Sequence, residues 1–87
     1  MKRLTPAQRE ILLLTAEEAA ELAAECMRQL RAGKLDRVGL AKACVDVQLN
    51  ERVIWQEAMV DLKSWRMCSA QRFMYLNKML KHIKVMP

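Results

Sequence analysis

The chain has 87 residues, 53% of them hydrophobic, and a formal net charge of +5. That length holds one small domain, which is marginal as a monomer and leaves oligomerisation as the outlet for its apolar surplus. No stretch approaches the ~20 uninterrupted apolar residues of a membrane span, and three cysteines (Cys26, Cys44, Cys68) without metal-ligand spacing exclude a disulfide framework and a zinc site.

In chain order, Met1-Lys2-Arg3-Leu4 leads to a helix start and not to a cleavage site. Thr5-Pro6-Ala7-Gln8 supplies a cap, a proline suited to the first helical position and the Gln of a capping box. The first helix is predicted over about 6–32, with Gly33 closing it. At 100° per residue, Ile11, Leu12, Ala19, Leu22, Ala23, Cys26 and Leu30 fall on one face, predicted as the core side. Glu17, Glu18, Glu21 and Glu25 fall on an adjoining arc. Glu17 and Glu21 repel each other at i,i+4 spacing by a few tenths of a kcal/mol. A divalent cation is the simplest group that would hold such a cluster.

Lys34-Leu35 is a short connection and Asp36 a second cap, so helix 2 is predicted over about 37–63, antiparallel to helix 1. Asp46, Asn50, Glu57 and Asp61 are expected on one of its faces. Residues 40–86 contain neither Gly nor Pro, and a single helix of that length would be exceptional. A break near Ser64 or Ser69 is therefore expected, followed by a third helix over about 65–84 with Trp65, Phe73, Leu76, Leu80 and Ile83 as its apolar stripe. No segment alternates as a strand would. The fold class is all-α: a helical hairpin plus a third helix, associating into a helical-bundle oligomer, dimer or tetramer.

Residues 1–63 hold ten Lys/Arg and ten Asp/Glu, whereas residues 64–87 hold Arg66, Arg72, Lys78, Lys81 and Lys84 and no acid. With no nucleic-acid motif among them, these cations read as a solvated helix face, and no nucleic-acid or membrane partner is expected. The cysteines read as buried free thiols of a reducing, cytoplasmic compartment. His82 reads as a surface residue, and the seven Met as core or interface filler.

Glu17-Glu18-Ala19-Ala20-Glu21 resembles the Glu-Glu-x-x-Glu motif of the MazG-like, all-α nucleoside triphosphate pyrophosphohydrolases. Gln29-Leu30-Arg31-Ala32-Gly33 looks like the Leu-Arg-Phe-Gly that ends the same helix in small phage and bacterial members. Val45-Asp46-Val47 looks like the Gly-Asp-Val of the second motif, Glu-x-x-Asp. The resemblance covers roughly residues 7–63. It implies a Mg²⁺ site with Glu18, Glu21 and Asp46 as ligands and Glu17 beside them, at which a triphosphate is cleaved to a monophosphate and pyrophosphate. This sequence departs from the pattern at Ala43, where the second motif has a Glu, and Lys42 stands next to it.

Loss of a ligand beside an ammonium weakens a cation site. The expectation is therefore a MazG-like chain that binds a nucleotide or nucleotide-derived molecule without efficient hydrolysis, as in phage-type sequestration of a nucleotide signal in the host cytoplasm. Glu17, Glu18, Glu21, Glu25, Lys42, Asp46, Asn50 and Trp55 are the candidate ligand-binding residues. The alternatives are a working Mg²⁺-dependent pyrophosphohydrolase and a structural oligomer whose acids pair with Arg28, Arg31, Lys42 or Arg52.

Overall fold

In a computed structural model, the described residues 3–86 form three α-helices and no strand. Helix α1 spans Pro6–Ala32. Its start is fixed locally: Gln8 N donates to Thr5 Oγ1 at 3.1 Å, and Thr5 N donates to Gln8 Oε1 at 3.0 Å. Its end is fixed by Gly33, whose φ of 65° suits a residue without a Cβ, and whose N–H donates to the Gln29 carbonyl.

Helix α2 spans Arg37–Gln56, with Asp36 Oδ1 accepting from Gly39 N at 2.9 Å. It stops seven residues short of the predicted Lys63. Ala58 takes a left-handed φ of 55°, which a non-glycine residue adopts at a cost of about 1–2 kcal/mol. A third cap lies just beyond: Asp61 accepts from the backbone N–H and hydroxyl of Ser64. Helix α3 therefore starts earlier than expected, spanning Leu62–Met79. Glu57 and Asp61 are thus not on α2. Leu80 and Ile83, predicted on the third helix, follow it in a tail that folds back so that Val85 N donates to Asn77 Oδ1 at 2.8 Å.

Helices α1 and α2 pack together, and their meeting points run in opposite order along the two helices. A Cβ on Gly39 would strike the Glu25 carboxylate, Glu18 and Glu21 approach Asp46, and Ile11 shares a groove with Val53. Helix α3 packs along neither. Its link to α2 is an edge-on contact of Trp55 with Trp65, ring centres 6.1 Å apart at 63°.

The face of α1 turned to α2 corrects the sequence expectation. Its less exposed residues are Gln8, Ile11, Thr15, Glu18, Leu22, Glu25 and Gln29, alternating by three and four positions. This seam is mostly polar. The neighbouring apolar face stays open, with Leu12 at 39% and Leu30 at 73% exposure. Among the described residues, Ile11 is the one buried hydrophobic side chain. The three cysteines are exposed free thiols, not buried ones. The chain is an open shape of 44 × 27 × 18 Å. Its accessible surface is 7947 Å², roughly half as much again as the about 5,300 Å² expected for a compact monomer of its mass.

Candidate functional site

One turn of α1 and one of α2 bring Glu18, Glu21 and Asp46 together. The spacing of three puts Glu18 and Glu21 on one side of α1. Asp46 meets them because its face of α2 packs on α1. One carboxylate oxygen from each lies within 4.8 Å of the other two, Glu18 and Asp46 half-buried and Glu21 exposed. Partial burial, followed by the charges of Glu21 and Asp46, raises the Glu18 carboxyl above its ordinary value. Among the described residues, no Arg or Lys lies within ion-pair distance of the three.

Hard oxygen donors without a cationic partner suit a divalent cation. Carboxylate oxygens this close together can share one such ion.

Asn50 lies one turn beyond Asp46. It is 9% exposed, and its Nδ2 has no hydrogen-bond partner. An unpaired buried donor of this kind costs about 1–3 kcal/mol. Lys42 and Asp46 line a shallow apolar hollow with Val38 and Val45. Ala43 is half-buried on the same helix, so a methyl group stands where the resemblance implies a fourth acid.

The remaining candidates are placed apart. Glu17 is exposed and outside the carboxylate group. Glu25 is engaged elsewhere: Arg28 Nε donates to its Oε2 at 2.7 Å and Arg28 Nη2 to its Oε1 at 2.6 Å, with Gln29 adding a third bond. These bonds hold the Glu25 carboxyl at about 2. Trp55 packs on Trp65, away from the acids in sequence and in contact. Sequence reasoning assigned Glu25 to ligand binding and left Arg28 free for a neighbour. The i,i+3 spacing of the two residues was the available signal.

No known protein family matches this sequence, and neither curated proteins nor solved structures give a match.

Proposed function

We propose that the chain binds a nucleotide or nucleotide-derived small molecule between α1 and α2, through a divalent cation at Glu18, Glu21 and Asp46. In this reading α1 and α2 form an antiparallel hairpin, the unit of a MazG-like helical-bundle homo-oligomer, and the ligand is retained without efficient hydrolysis. The observation that supports it is the convergence of three carboxylates from two helices with no Arg or Lys of the described residues within ion-pair distance. A bound Mg²⁺ would link those carboxylates to phosphate oxygens.

The chain's own residues have separate tasks. Glu18 and Asp46, half-buried, and Glu21, exposed, are the residues that would hold the cation. Lys42, one turn before Asp46 and sharing its hollow, offers an ammonium to phosphate. Asn50 holds an amide donor free for a polar ligand atom. Ala43 gives no carboxylate to orient a water, which favours retention over cleavage. Such a chain suits sequestration of a nucleotide signal in the cytoplasm, including a phage host's.

The test is a thermal-shift series with MgCl₂ or MnCl₂, alone and with NTPs, dNTPs, cyclic dinucleotides and ADP-ribose. One ligand should raise the melting temperature in a metal-dependent way and be recovered intact by chromatography. The Glu18→Gln, Glu21→Gln double variant should lose the shift. Pyrophosphate release above that control would instead establish the pyrophosphohydrolase. No shift with any metal or ligand would leave a purely structural oligomer.

A further inference from the structure

We infer that the open apolar face of α1 is covered by the same face of a second copy, with the two α1 helices antiparallel about a two-fold axis that crosses this face at the level of position 21. The face is formed by Leu12, Ala16, Ala19, Ala23, Cys26 and Leu30, all exposed and spaced by fours and threes along one side of the helix. It lies beside the polar seam, on the side where Cys26 and Leu30 share a hollow with Leu40 of α2.

Two observations select a second copy as the occupant. The first is area. The chain exposes about 2,600 Å² more than a compact monomer of its mass, against the about 800 Å² per partner that a stable interface takes. Ile11 is the one hydrophobic side chain buried among the described residues, so much of the apolar surface of α1 stays uncovered within the chain, Leu12 and Leu30 of this face included.

The second is symmetry. A two-fold interface requires that residue i meet j while j meets i. The face satisfies this in its own sequence. Turned end for end about position 21, Leu12 falls opposite Leu30, Ala16 opposite Cys26, and Ala19 opposite Ala23. The four small side chains let the helix axes approach to about 8 Å at the centre. The leucines close over both ends. The carboxylate group belongs to the other edge of the seam, at Glu21, so pairing leaves it accessible.

Cysteine crosslinking reads this register directly. In the full chain with Cys44→Ser and Cys68→Ser, Ala16→Cys should give a covalent dimer through Cys26 with a short bismaleimide. Ala20→Cys, rotated off the face, should crosslink far less. Peptide mapping should join position 16 to Cys26 of the other chain. Sedimentation of the unmodified protein at micromolar concentration should give a multiple of 10.1 kDa. A monomer overturns the inference. So does an oligomer in which the Ala20→Cys variant crosslinks as well as the Ala16→Cys one. The readout is independent of ligand binding, so failure here leaves the proposed function standing or falling on its own assay.

Discussion

Arg28 Nη2 donates to Asp36 Oδ2 at 2.8 Å across the α1–α2 turn, while the same nitrogen holds Glu25 Oε1 at 2.6 Å. One guanidinium thus ties the last turns of α1 to the capping residue of α2. Gln29 completes the tie by donating to the Asp36 carbonyl and accepting from the Asp36 N–H. Gly39 leaves room beside it: a Cβ there would lie 2.7 Å from Asp36 Oδ2 and push the Glu25 carboxylate out of its place in the tie.

This arrangement predicts an acid-sensitive turn. Glu25 titrates at about 2 in the folded chain, against an ordinary 4.5. A depressed folded value contributes stability above the unfolded one, and that contribution is lost as pH falls from about 4.5 to about 2. Denaturation midpoints measured across this range should fall less steeply in Arg28→Gln than in the parent. Identical slopes would mean that the ion pair does not couple to folding. Asp36→Ala, which removes the cap, should cost about 1 kcal/mol.

Glu18 has the opposite sign. Its folded value is raised, so the carboxyl favours folding when protonated, and this contribution is lost as pH rises through the folded value. In chelator at neutral pH, Glu18→Gln should therefore raise the melting temperature. With MnCl₂ the order should reverse, the parent gaining and the variant not. A variant less stable than the parent in chelator would contradict the electrostatic account of the cluster.

Asn50→Leu should stabilise the ligand-free protein by about 1 kcal/mol, since the amide donor it removes is buried without a partner. It should also weaken binding of any nucleotide found by the thermal-shift series. Loss of stability in this variant would show that the amide has a partner in solution.

Ala58→Gly should gain about 0.5–1 kcal/mol in chemical denaturation, because glycine accepts the φ of 55° without a Cβ clash and offsets part of this by its greater unfolded freedom. Ala58→Val should lose stability. Equal stability of the three would mean that the α2–α3 elbow relaxes out of the left-handed region.

The helix ends show what local sequence specifies. Thr5, Pro6 and Gln8 start α1, Gly33 ends it, and Asp36 starts α2, each through bonds within a few residues. The α2–α3 boundary follows the same chemistry at Asp61 and Ser64, but those residues also suit a continuing helix face. What stops α2 at Gln56 is a left-handed alanine and a contact between Trp55 and Trp65, neither visible as a Gly or Pro.

The amino-acid sequence by itself determined three helices, both capped ends of α1, the capped start of α2 and the acidic run from Glu17 to Glu21, because caps and 3.6-residue periodicity act over one or two turns. It also carried the two-fold pattern from Leu12 to Leu30. Only the tertiary structure decided which face of α1 meets α2. A helix with apolar residues on several sides has no single periodic solution, and packing chose the seam holding Glu18 over the face holding Leu12. That choice brings Asp46 to Glu18 and Glu21, draws Glu25 off to Arg28, and leaves the apolar face open.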